Sequence, residues 1–136
     1  MQRMNRLPVA KRAQILSMLC EGTSMRSASR LADVSINTVS KLLVDFGTLC
    51  AAFHHEQVKN VKARRVQVDE IWSFTYAKQR NVDKATKAPA HAGDTWTWTG
   101  IDADSKLVIS WRVGGRSAED AVPFMNDLAT RLVCCA

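Results

Sequence analysis

No run in the 136-residue sequence approaches the roughly 20 consecutive apolar residues of a membrane-spanning helix. A secretory leader is missing too: Lys11, Arg12 and Gln14 interrupt the apolar positions between residues 9 and 20, and no cleavage site follows. No membrane partner is expected, and the expected location is cytoplasmic. Cysteine is scarce, and Cys20, Cys50, Cys134 and Cys135 form no C-x-x-C pair. In a reducing compartment structural disulfides are not expected from them. Cys50 and His54 stand four apart on an expected helix and could share a metal, but no second ligand pair follows at zinc-site spacing. A composition 46% hydrophobic and 24% charged excludes disorder and suits one medium domain or two small ones.

Charge is unevenly spread. Residues 1–65 hold 11 Lys/Arg against 4 Asp/Glu, whereas residues 66–136 hold 8 against 9. A basic half joined to a carboxylate-bearing neutral half fits a part that holds a polyanion and a part that does something else. A solvated basic surface fits the charge equally well.

In the basic half, Val9, Ala13, Leu16 and Cys20 recur at steps of four, three and four, the spacing of one helix face. Pro8 is placed to open that helix and Gly22 to end it in the left-handed conformation. Ser24 can cap a second helix over Met25–Ala32, and Ser35 a third beginning Ile36-Asn37-Thr38-Val39. Two short helices across a three- or four-residue turn make a helix-turn-helix, and Ala28, Ala32, Val34, Val39 and Leu42 fit its buried positions. The third helix would then lie in a major groove, with Ser35, Ile36, Asn37, Ser40 and Lys41 toward bases and phosphates. Arg26 and Arg30 would reach the backbone. A plain helical bundle shares the buried pattern; the charge and the S-x-N-T-V start favour double-stranded DNA as the partner.

Two residues depart from the usual motif. Asp33 replaces the turn glycine and must take positive φ at some cost. Ser29 stands where alanine is usual, with a hydroxyl able to bond the Met25 carbonyl. Further on, Val39, Leu42, Phe46, Leu49 and Phe53 continue a helical seam, which is expected to pack on the first helix or, more sharply, on a dimer partner.

After a basic linker at residues 61–65 the texture changes. Alternation from Val66 to Tyr76 predicts a strand with Val66, Val68, Glu70, Trp72, Phe74 and Tyr76 on one face. Gln67, Asp69, Ile71 and Ser73 share the other. Residues 77–93 read as a loop, 95–101 as a second strand, 102–106 as a turn and 107–113 as a third strand. Ser117 with Asp120 resembles a capping box opening a helix whose face is Ala121, Met125, Leu128 and Leu132, with Pro123 kinking it or delaying its start. The fold class is α+β: a three-helix helix-turn-helix domain in residues 1–60, then an incomplete sheet domain in residues 66–136.

These residues carry a resemblance. The helix-turn-helix, Val68-Asp69-Glu70-Ile71-Trp72-Ser73-Phe74 and Trp96-Thr97-Trp98-Thr99-Gly100-Ile101-Asp102-Ala103-Asp104 together resemble the insertion-sequence-one family of bacterial transposases, from about Met4 to Leu132. The resemblance implies a ribonuclease-H-like catalytic fold of DDE type. It also implies DNA transposition by phosphodiester cleavage and strand transfer, with two Mg²⁺ ions held by three carboxylates. Asp69 matches the first of those carboxylates, as catalytic and metal-binding residue. The second and third would follow beyond the sequence, so this chain alone is not expected to hold a metal pair. Asp102 and Asp104 fit turn chemistry better than metal binding, and Glu70 a structural role.

The resemblance leaves three readings open. The chain is the DNA-binding N-terminal part of a transposase, a truncated regulator occupying the element's terminal repeats, or an accessory subunit. The last would pair with another copy or with full-length transposase through an open sheet edge.

Overall fold

The computed structural model describes residues 7–133; Cys134 and Cys135 lie outside them. Its architecture is α+β, with five helices and one three-stranded antiparallel sheet among the described residues. The chain forms two compact units that meet between Glu56 and Gln57.

The first unit is helical because its start and stop signals operate as written. Pro8 precedes α1 (Val9–Cys20), and Gly22 closes it at φ 78°. Ser24 accepts the Ser27 N–H at 3.2 Å and caps α2 (Met25–Ala32). Asp33 takes the left-handed conformation at φ 49°, ψ 53°. Ser35 then accepts the Thr38 N–H at 3.1 Å and opens α3 (Ile36–Gln57). The Ser29 hydroxyl donates to the Val34 carbonyl at 2.6 Å rather than to Met25. The Met25 carbonyl lies within the helical ladder, whereas the Val34 carbonyl belongs to the turn and needs a donor.

Ile15, Ala28, Ala32 and Val39 form the core of this unit, with Met18, Leu19, Val34 and Leu42 around them. The face expected for α1 is thereby corrected. Val9 is 71% exposed and Cys20 is exposed, because the small Ala28 and Ala32 admit the branched Ile15 instead. Of the two uses expected for the α3 seam, packing on the first unit's core holds for Val39 and Leu42 but not for Phe46, Leu49 and Phe53, which stay exposed. At about 1.5 Å per residue, the 22 residues of α3 outrun the 12 of α1 and the 8 of α2.

In the second unit, β1 (Val66–Thr75), β2 (Gly93–Asp102) and β3 (Val108–Gly114) pair antiparallel in the order β1-β2-β3. The loop before β2 holds a short helix, α4 (Gln79–Val82), that alternation did not reveal. Cross-strand partners Val68↔Gly100, Glu70↔Trp98, Trp98↔Arg112 and Gly100↔Ser110 put the even-numbered residues of β1 on one face. That face meets α5 (Ala118–Arg131). The register slips after Gly100, which leaves Ile109 without a partner and turns it into the core beside Phe124 and Leu128.

Three expectations change in this unit. Residues 61–65 are no free linker: Val61 bridges to Leu132, and Val58, Val61 and Ala63 pack on the core. Ser117 makes no side-chain cap; Asp120 instead accepts the Gly115 N–H at 2.6 Å and Arg112 Nε at 2.9 Å. The buried face of α5 is Phe124, Leu128 and Arg131, not Met125, which is 49% exposed, and the helix runs through Pro123.

Candidate nucleic-acid interface and the Asp69 strand

On α3, Asn37, Ser40 and Lys41 are spaced three and four apart, so they share one stripe, turned away from Val39 in the core. All three are exposed. Val44, 64% exposed, lengthens the stripe by another turn; an apolar residue outside the expected motif gave no polar signal to find it by. Ser35 sits at the head of this helix, but its hydroxyl is engaged by the Thr38 N–H and by Thr38 Oγ1 at 2.8 Å. These bonds position the head of α3. Ile36 is 42% exposed beside it.

Arg26 and Arg30 are four apart on α2, both exposed, and Arg30 Nη2 donates to Ser27 Oγ at 3.1 Å. The unit boundary alters the electrostatics read from the sequence. Lys59, Lys62, Arg64 and Arg65 belong to the second unit, so residues 1–56 carry 7 Lys/Arg against 4 Asp/Glu and residues 57–136 carry 12 against 9. Each unit is therefore +3, and the case for a candidate interface on α2 and α3 is one of placed side chains rather than of a large regional charge.

Asp69 is exposed on β1, on the sheet face away from α5, opposite Thr99. Its Oδ1 accepts the N–H of Glu70 at 2.8 Å, and Thr99 Oγ1 donates to its carbonyl at 3.4 Å. Its neighbours along that face are Gln67, Ile71 and Ser73, none of them an acid.

The other acids are held elsewhere. Glu70, on the opposite face, pairs with Arg116 at 2.7 Å. Asp104 pairs with Arg65 at 2.8 Å. Asp102, 7% exposed, accepts from the Ser105 hydroxyl and from the N–H groups of Asp104 and Ser105, and so closes the β2–β3 turn. The Ser105 hydroxyl foremost, with those N–H groups, holds its carboxyl below the usual range. No three His, Cys, Asp or Glu side chains converge among the described residues. A two-metal Mg²⁺ centre does not fit the surroundings of Asp69.

Two clusters escaped the sequence reading. Asp127 accepts from the Ser110 hydroxyl and from Arg131 Nε at 2.7 Å, while Arg131 Nη1 reaches the Val58 carbonyl at 3.0 Å. The only sequence signal was an acid four residues before a base on one helix. On the α5 side of the sheet, Trp72 and Phe74 lie 5.7 Å apart, Lys78 sits over Trp72 at 5.0 Å, and Arg116 over Trp96 at 4.7 Å. Strand alternation placed these rings on one face, but their cations come from distant residues.

Comparison with known protein families, curated proteins and solved structures returns no match.

Proposed function

We propose that residues 7–56 form a helix-turn-helix that binds double-stranded DNA through α3, and that the chain is the DNA-binding part of an insertion-sequence transposase. The observation that carries the DNA reading is the exposed stripe Asn37, Ser40 and Lys41 on a capped helix. A three-residue turn with Asp33 left-handed joins that helix to α2. Arg26 and Arg30 supply backbone contacts that fix orientation, and Asn37 has the two-pronged amide suited to an adenine edge.

The transposase reading is supported by the likeness of the Val68–Phe74 strand and the Trp96–Asp104 hairpin to the insertion-sequence-one family. Three antiparallel strands followed by a helix are compatible with the first part of a ribonuclease-H-like domain. In that reading Asp69 is the first metal-binding carboxylate of a Mg²⁺-dependent transposase. The alternative reading is a stand-alone DNA-binding regulator or inhibitor of transposition that occupies the terminal repeats, and it rests on the same α3 stripe.

The test is a titration of a labelled duplex carrying the terminal repeat, against a scrambled duplex, over a salt series. Affinity should fall steeply with salt as phosphate contacts release counterions, and the repeat should be preferred. Absence of binding, or a flat salt response, overturns the DNA reading.

A further inference from the structure

Beyond Leu42 the apolar seam of α3 is uncovered: Phe46, Leu49 and Phe53 stand 39%, 68% and 67% exposed. Alongside, Val9, Ala13 and Leu16 of α1 face Leu42, Phe46 and Leu49 of α3 across an open groove of about 500 Å³. Arg12 and Lys41 stand at this groove with one acid, Asp45. Arg12 Nε is buried and has no hydrogen-bond partner among the described residues.

We propose that this face binds a second copy of the chain, with the two α3 helices packed antiparallel about a two-fold axis. A two-fold interface must be self-complementary, and this one is. The groove lies at the level of Leu42 to Leu49, and the ridge beyond it is Leu49 and Phe53. An antiparallel copy therefore sets each Phe53 ridge against the other's groove.

Charge runs in the same sense. Glu56 follows Phe53 at the far end of α3, whereas Arg12 and Lys41 stand at the near end. The antiparallel arrangement brings each Glu56 toward the partner's two cations, Arg12 and Lys41. Phe53 and Leu49, both more than half exposed, supply the apolar ridge that such a packing would cover. A bilayer is the competing surface: although the sequence has no unbroken apolar run of that length, α3 has the length and mean hydropathy of a membrane-spanning helix, and 6% of its most apolar 18-residue window is buried. Lys41, Asp45 and Glu56 along one flank favour a protein surface instead.

Sedimentation velocity of the full chain over a wide concentration range tests this. A dimer is expected, and Phe53→Asp should convert it to monomer with an unchanged helical circular dichroism spectrum, because Phe53 lies outside the Ile15 core. Glu56→Lys should weaken association about tenfold, and Lys41→Glu added to it should restore most of the loss. A monomer at every concentration overturns the proposal. So does association that survives Phe53→Asp, or co-sedimentation of the chain with phosphatidylcholine vesicles.

Discussion

A Cβ built on Gly100 would stand 2.9 Å from Leu128 Cδ1, so α5 rests on β2 where that strand carries no side chain. Leu128 is 3% exposed and sits among Ile109 and Phe124, which limits how far it can yield. Gly100→Ala should therefore destabilise the second unit by about 1–3 kcal/mol through overpacking. Leu128→Ala alone should cost about 2–5 kcal/mol. In the Leu128→Ala background, adding Gly100→Ala should be neutral or favourable. Urea unfolding of the four proteins checks the sign of that coupling.

Acid should weaken the same unit through two carboxylates. Asp102 is held below its usual pKa first by the Ser105 hydroxyl, and Asp120 first by the Gly115 N–H and then by Arg112. Both folded-state values lie below the unfolded ones, so their contribution is complete above about pH 4 and is lost as pH falls through the depressed folded values. Thermal melts from neutral pH downward should show the midpoint falling below about pH 4. In Asp102→Asn combined with Asp120→Asn, the neutral midpoint should drop and the acid slope flatten. An unchanged acid slope would mean that other groups carry it.

The α2–α3 turn makes a separate prediction for the first unit. Asp33 holds φ 49°, a region that L-residues enter at a cost, so Asp33→Gly should stabilise by up to about 1 kcal/mol. Ser29→Ala removes the 2.6 Å bond to the part-buried Val34 carbonyl and should cost about 1 kcal/mol or more. Denaturant midpoints of the two variants should move in opposite directions.

What the sequence made legible was local chemistry. The capping serines 24 and 35, the left-handed Asp33 and Gly22, and the strand faces around Asp69 all depend on residues within a few positions of one another. What stayed illegible depends on partners far along the chain. The choice of Ile15 over Val9 on α1 was made by Ala28 and Ala32, which no period within α1 encodes. Residues 61–65 looked like a linker because their cations alternate with apolar residues, yet Val61 is fixed by Leu132, some seventy residues later. Asp120 fitted a capping box with Ser117, but Arg112 and the Gly115 N–H offered a charge-assisted pair and took it. The same limit applies to the candidate site: a motif picks out Asp69 and alternation puts Gln67 and Ile71 beside it, but only the register shows that Thr99 lies across from it.

On the proposed DNA interface, Asn37→Ala and Lys41→Ala should fail differently. Asn37→Ala should lose about 1–3 kcal/mol on the preferred duplex and little on a scrambled one, if its amide reads an adenine. Lys41→Ala should weaken both duplexes alike and reduce the salt slope by about one phosphate contact. Ser35→Ala removes a helix cap, so it should lower the melting temperature as well as affinity. Anisotropy titrations at several salt concentrations separate the three.

The last prediction concerns cleavage. Two-metal phosphodiester chemistry needs several carboxylates converging on ions roughly 3.5–4 Å apart. Among the described residues no second acid lies beside Asp69, Glu70 points to the other side and holds Arg116, and Asp102 closes a turn. Asp104 is paired with Arg65 on the surface. The 136-residue chain should therefore bind the terminal repeat without nicking or joining it in Mg²⁺ or Mn²⁺. Asp69→Ala should leave both affinity and stability nearly unchanged, since an exposed side chain that, among the described residues, accepts from its neighbour's N–H contributes little. Metal-dependent nicking by the chain, abolished in Asp69→Ala, would place the remaining ligands in a second copy and make the active site a shared one.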